Sequence, residues 1–165
     1  MKKTVIIFGT STGTCEELAG RIGAKLGVDN IINVTDLDDS VIAANDNLIL
    51  GTSTWGAGEL QDDWYDGVRT IGAADLSGKT VALFGCGDSE SYPDTFVGGM
   101  AELYNAARKA GADIVGAVSV AGYTFDDSES VVDGKFVGLA LDEVNEDDKT
   151  DERIDAWVQQ ILPSL

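Results

Sequence analysis

The sequence predicts a doubly wound α/β domain on a parallel sheet, and three observations carry that reading. Five short apolar runs recur along the chain: residues 3–9, 31–35, 47–52, 80–85 and 114–120. Segments with helical spacing lie between them. A hydroxyl-rich turn, Phe8-Gly-Thr-Ser-Thr-Gly-Thr-Cys15, joins the first run to the first helical segment. Continuous apolar runs are how strands buried on both faces read, and parallel sheets bury both faces. Strands alternating with helices make βαβ units with right-handed crossovers.

The helical segments place apolar residues at spacings of three and four. They are Leu18, Ile22 and Leu26; Trp64, Val68 and Ile71; Phe96, Met100, Leu103 and Ala107; and Ile154, Trp157, Val158 and Ile161. Residues 121–149 break the alternation with scattered glycines and acids and one alternating stretch, Lys135 to Leu141. This reads as an inserted loop or small hairpin beside the last strand. Thr150 is a plausible N-cap for the final helix, with Asp151 and Glu152 in its first turn.

The 165 residues suffice for one domain with a sizeable core, and residues 1–165 are expected to form it. Against 29 acidic residues stand 11 basic ones, a formal net charge of −18. Nucleic acid and anionic membranes would repel such a chain. The charge reads as solubility or as steering toward a basic protein partner. No apolar run approaches 18 residues and no signal peptide is evident, so a cytoplasmic protein is expected. Cys15 and Cys86 are too far apart in sequence for a C-x-x-C motif and read as free thiols. Histidine is absent, which removes the commonest general base and metal ligand. Neither hydrolytic chemistry nor a metal site is expected.

The turn after the first strand has the chemistry of a phosphate site. A helix N-terminus offers unpaired N–H groups and a partial positive charge, and Thr10, Ser11, Thr12 and Thr14 add hydroxyls. The Gly-Lys-Ser/Thr of nucleotide hydrolases is missing, and Gly9 and Gly13 do not fit G-x-G-x-x-G. One terminal phosphomonoester suits the turn. In an open α/β sheet, ligands bind beyond the C-terminal strand ends. That brings the turn together with Thr52-Ser53-Thr54-Trp55-Gly56-Ala57-Gly58-Glu59-Leu60 and with Gly85-Cys86-Gly87-Asp88-Ser89-Glu90-Ser91-Tyr92. Trp55 and Tyr92 have no apolar neighbours at helical or strand spacing, so each reads as a ring on which a flat heterocycle stacks. Two rings and a phosphate site describe a mononucleotide with a large planar base.

These motifs together resemble the flavodoxins, small electron carriers holding flavin mononucleotide (FMN), and their long-chain type in particular. The resemblance covers nearly the whole chain. It rests on the turn Thr10 to Cys15, on T-W-G-A-G-E-L-Q-D-D-W at Thr54 to Trp64, on G-x-G-D-x-x-x-Y at Gly85 to Tyr92, and on Gly134 to Asp142, which is similar to the long-chain insertion. Cys15 departs from the usual Thr or Ser; a thiol is a weak donor, so its backbone N–H would serve. The resemblance implies a three-layer sandwich with strand order 2-1-3-4-5. It implies phosphate binding by Thr10, Ser11, Thr12, Gly13, Thr14 and the Cys15 backbone. It further implies Trp55 and Tyr92 flanking the isoalloxazine, Asp88 and nearby backbone of Cys86 and Gly87 at the pyrimidine edge, and contacts from Thr52, Ser53, Thr54, Gly56, Ala57 and Gly58.

The function so implied is low-potential one-electron transfer between redox enzymes, alternating between semiquinone and hydroquinone, with no substrate of its own. Partners would be basic-faced proteins such as a flavodoxin/ferredoxin reductase or an iron–sulfur oxidoreductase, met by a monomer. A unit charge about 4 Å away costs roughly 4 kcal/mol at an effective dielectric of about 20. About 1.4 kcal/mol corresponds to roughly 59 mV for one electron. A few partly screened acids among Glu59, Asp62, Asp63, Asp88 and Glu90 could therefore lower the second couple by about a hundred millivolts. A rotating Gly56–Ala57 peptide would offer its carbonyl to the flavin N5 proton, and glycine permits that rotation. The alternative is an FMN-dependent NAD(P)H reductase, which needs one flavin face open where Trp55 and Tyr92 would cover both. A receiver domain shares the sheet order but needs acids where this chain has Gly9, Thr10 and Ser11.

Overall fold

The computed structural model describes residues 1–165. The central sheet begins with β1 (Thr4–Gly9), which runs into α1 (Thr14–Leu26). β2 (Ile31–Asn33) and the short α2 (Asp39–Ala44) lead to β3 (Asn47–Trp55), which folds back on a two-residue β4 (Glu59–Leu60). Then come α3 (Trp64–Ala73), β5 (Thr80–Cys86), α4 (Gly99–Lys109), β6 (Asp113–Val115) and β7 (Val118–Ser119). A hairpin of β8 (Val131–Val132) and β9 (Lys135–Phe136) precedes β10 (Leu139–Leu141) and α5 (Thr150–Ile161).

β2, β1, β3 and β5 pair in parallel, and β10 continues the sheet beyond β5. The expected order 2-1-3-4-5 holds, with one correction. The last strand is split: β6 pairs with Thr80–Ala82 of β5, while β10 pairs with Phe84–Cys86. The insertion lies within this strand, where it was expected beside it. Residues 116–138 leave the sheet between the two halves and form a separate three-stranded sheet, β7-β9-β8. The run expected at 114–120 therefore divides: Val115 ends β6, and Val118 belongs to the small sheet.

Two apolar layers sandwich the sheet. One holds Val5, Ile7, Leu48, Leu50, Trp64, Ile71, Met100 and Leu103, from alternate strand positions and from α3 and α4. The other holds Ile6, Ile49, Phe84, Leu18, Ile22, Ile154, Trp157 and Ile161, from the opposite strand faces and from α1 and α5. Period-two alternation sends neighbouring strand residues to opposite layers, so the central stretches Val5–Phe8, Leu48–Leu50 and Val81–Phe84 are continuously apolar, with Thr4, Asn47 and Thr80 at the strand starts. Phe136 and Tyr123 stack edge to face at 4.9 Å and anchor the insertion to the first layer.

Two local expectations are corrected. α2 was not foreseen: it has six residues, too few for a periodic signal, and its start is fixed by Asp38, whose carboxylate accepts Val41 N–H at 3.0 Å. Thr150 is the first residue of α5, not its cap; a 3-10 turn at Asp147–Lys149 leads into the helix, and the Thr150 hydroxyl is buried without a partner.

Candidate functional site

The loops after β1, β3, β5 and β10 all leave the same edge of the sheet. The register aligns Gly9 with Thr52 and Ser53 with Cys86, so the strands end level and their loops meet.

The first loop is held open as an anion cradle. Thr10 Oγ1 accepts Gly13 N–H at 2.9 Å, and Gly13 takes a φ of 93°, which turns the chain into α1. The N–H groups of Ser11, Thr12, Thr14, Cys15 and Glu16 find no acceptor within the protein. Buried or clustered backbone donors are ordinarily paired, so this concentration of free N–H groups is a phosphate-type site in the donor set itself. From below, Gly9 rests on the buried Trp64: a Cβ there would lie 2.4 Å from the indole. Trp64 Nε1 in turn donates to Gly51 O at 2.8 Å. Gln61 Nε2 donates to Ser11 Oγ at 3.2 Å and to Asp63 at 3.1 Å, tying the segment after β4 to the cradle.

Beside the cradle opens a pocket of about 350 Å³, lined among others by Thr12, Thr14, Trp55, Cys86, Asp88 and Tyr92. Trp55 is 42% exposed and Tyr92 52% exposed, and both rings stand on the lining of this one pocket. Trp55 Nε1 donates to Ser53 Oγ at 2.8 Å, which fixes the ring at the end of β3. Gly56 and Gly58 take φ values of 53° and 83°, the left-handed region, so this turn depends on glycine. Gly58 also packs directly on Gly98, where an added Cβ would meet its Cα at 3.0 Å.

The third loop, Gly87 to Gly98, is braced from behind by the insertion. Pro93 O accepts Asp126 N–H at 2.8 Å and Asp127 N–H at 2.9 Å, Ser128 Oγ donates to Phe96 O, and Ser130 Oγ donates to Val97 O at 2.7 Å. Val97 is held at a φ of 47°, a conformation β-branched residues avoid.

Of the residues expected at the site, Thr12, Thr14, Ser53, Thr54, Trp55, Gly56, Cys86, Gly87, Asp88 and Tyr92 line the pocket. Thr10, Ser11 and Gly13 form the cradle rather than the pocket wall. Cys15 and Thr52 are fully buried beneath it: Thr52 Oγ1 donates to Ser53 O at 2.8 Å, so its hydroxyl serves the strand end. Ala57 is exposed outside the pocket lining, and Gly58 faces Thr95. The Cys15 thiol lies against that of Cys86, and this contact together with burial holds it well above the usual thiol range. It is a neutral packing group. Among the acids considered for charge effects, only Asp88 lines the pocket, and Glu143 joins it; Glu59, Asp62, Asp63 and Glu90 stand outside. Glu143 and Val144, after β10, form a fourth wall the sequence reading missed, as did Thr95, Phe96 and Val97.

The chain matches the family model described as flavodoxin over residues 6–157. The chain belongs to the flavodoxin family. It is 42% identical to a flavodoxin of Picosynechococcus over 168 residues, covering 100% of this chain and 99% of that one. A flavodoxin of Helicobacter pylori is likewise 42% identical, over 165 residues, with the same shares covered. Among solved structures, a Fusobacterium nucleatum flavodoxin bound to flavin mononucleotide superposes with a TM-score of 0.93 at 32% identity, covering 100% of this chain and 99% of that chain. Flavodoxin geometry thus extends through the insertion, in keeping with the long-chain type.

Proposed function

We propose that this flavodoxin is a one-electron carrier that holds FMN non-covalently and passes electrons between redox proteins, itself catalysing no substrate turnover. The observation that carries the reading is the set of free N–H groups at Ser11, Thr12, Thr14, Cys15 and Glu16 beside a pocket edged by two exposed rings. These residues fit the group: the cradle suits a dianionic phosphate without a cation, and Trp55 and Tyr92 suit a flat tricyclic ring. Bound FMN supplies the one-electron chemistry, and the protein tunes it.

The residues divide the work. Ser11, Thr12, Thr14 and the backbone of Cys15 and Glu16 hold the phosphate. Trp55 and Tyr92 cover the ring and exclude water from it. The Gly56–Ala57 peptide lies in a turn already at positive φ, and on rotation its carbonyl would accept a hydrogen bond from an N–H at the ring edge. Asp88 and Glu143 line the pocket and no Lys or Arg does, so added negative charge there is disfavoured and the potential is lowered. The nearest neutralising contact is Arg21 Nη1 to Glu143 at 3.4 Å.

No helix is long and apolar enough to cross a membrane. Two free thiols accord with a reducing cytoplasm. The net charge of −18 supports docking, as a monomer, on basic faces of a reductase or an iron–sulfur oxidoreductase. The test is electron delivery. Photoreduced holoprotein should pass electrons to excess cytochrome c at a rate that falls with ionic strength, and should oxidise no NAD(P)H unaided. Rapid unaided NAD(P)H oxidation would instead indicate a reductase.

A further inference from the structure

The segment after β10 holds a buried carboxylate that the cofactor reading leaves unused. Asp142 is 0% exposed, yet it is fully hydrogen-bonded. Oδ2 accepts Ser89 N–H at 3.1 Å and the Ser89 hydroxyl; Oδ1 accepts Val144 N–H at 3.2 Å and Asn145 N–H at 3.0 Å. The Asn145 amide closes the network. Its Nδ2 lies 3.2 and 3.1 Å from the two Asp142 oxygens and 2.8 Å from Asp88 Oδ1. An amide nitrogen has two protons, so one is shared over the Asp142 carboxylate and the other goes to Asp88. Asp88 Oδ1 also accepts Ser91 N–H at 3.0 Å, and Asp88 O accepts Tyr92 N–H at 2.9 Å. A continuous path therefore runs from the end of the split strand to the backbone of Tyr92, which carries the ring.

We propose that Asn145 is a positioning residue: bridging the Asp142 and Asp88 carboxylates, it locks the Gly87–Tyr92 loop onto the last strand in the shape that receives the flavin. This rests on the reading of that loop as the flavin's wall. The chemistry of the bridge requires an amide. Two carboxylates one side chain apart repel unless a donor lies between them, and no cation does so here. Glu90 and Glu146 line the same shallow recess around Asn145; Glu146 is bound by Lys149 at 2.7 Å and Arg153 at 3.2 Å, outside the bridge. The Ser91 N–H first, with the Asn145 amide adding to it against the opposing effect of burial, holds the Asp88 carboxyl below the usual range.

The test is FMN titration of the apoprotein for the wild type, Asn145→Leu, Asn145→Asp and Tyr92→Ala, with thermal unfolding confirming that each variant folds. Loss of a hydrogen bond to a charged group corresponds to about a tenfold or greater weakening, which is expected for Asn145→Leu. Asn145→Asp should bind weakly at pH 7, where three carboxylates meet. It should recover relative to the wild type near pH 5, because a shared proton restores the donor. A purely structural role would not produce that pH-dependent ratio. If Asn145→Leu stays within about twofold of the wild type while Tyr92→Ala weakens binding, the positioning role is wrong and the wall reading stands. If neither weakens binding, the wall reading fails and the positioning role falls with it.

Discussion

Replacing Trp55 by alanine tests whether the ring is a flavin wall. Trp55 is 42% exposed, and a tryptophan side chain offers roughly 250 Å², so about 105 Å² faces solvent. A flavin covering half of that face removes about 50 Å² from water, worth about 1.3 kcal/mol at roughly 25 cal/mol per Å². Aromatic stacking adds about 0.5–1.5 kcal/mol beyond burial. The sum, about 1.8–2.8 kcal/mol, corresponds to a Kd raised roughly 20- to 100-fold. Flavin fluorescence is the assay, followed as apoprotein is titrated into dilute FMN. Trp55→Phe keeps a ring and loses only the Nε1 bond to Ser53, so it should weaken binding by less than about tenfold. Tyr65→Ala is the control: Tyr65 is 46% exposed but does not line the pocket, and its loss should leave Kd unchanged. A Trp55→Ala protein that binds FMN within about threefold of the wild type would refute the reasoning.

Other consequences can be measured on the same protein. Burial pushes the Tyr123 phenol up to about 12, against the opposing pull of Arg153, whose guanidinium lies 3.8 Å over the ring. Both states keep the proton below about pH 10; between about 10 and 12 only the unfolded chain releases it, so stability falls by up to about 2–3 kcal/mol as pH rises. Urea unfolding should show that alkaline loss in the wild type and a smaller one in Tyr123→Phe. Gly9→Ala should destabilise the fold by about 1–3 kcal/mol, because its Cβ would meet the buried Trp64 ring at 2.4 Å; calorimetry would show the drop in Tm. Gly56→Val places a β-branched residue at a φ of 53°, which costs about 1–3 kcal/mol, and should lower the yield of the half-reduced blue form in a redox titration.

Sequence carried much of this molecule because the relevant signals were local. The continuous runs at Val5–Phe8, Leu48–Leu50 and Val81–Phe84 are buried on both faces and became the sheet centre. Thr10 to Cys15 formed the cradle because a glycine with positive φ and a helix start need only neighbours in sequence. Trp55 and Tyr92 were legible as surface rings because nothing at helical or strand spacing could bury them. What escaped depends on register between distant segments. Asp142 reads as one acid in an acidic stretch, and only the pairing of Leu141 with Cys86 sets it against Ser89. The split of the last strand is likewise invisible, since Ile114–Val115 and Leu139–Leu141 each look like short strands and only their shared partner, β5, joins them. Thr150 carried a capping signal, but the 3-10 turn at Asp147–Lys149 placed it one step inside the helix.

Stepwise anaerobic dithionite reduction of the FMN-loaded protein, followed in the visible spectrum, tests the one-electron carrier role most directly. The yellow protein should turn blue near half reduction and bleach only with further reductant. A protein that stays colourless with added FMN, or passes from yellow to bleached with no blue intermediate, would contradict it.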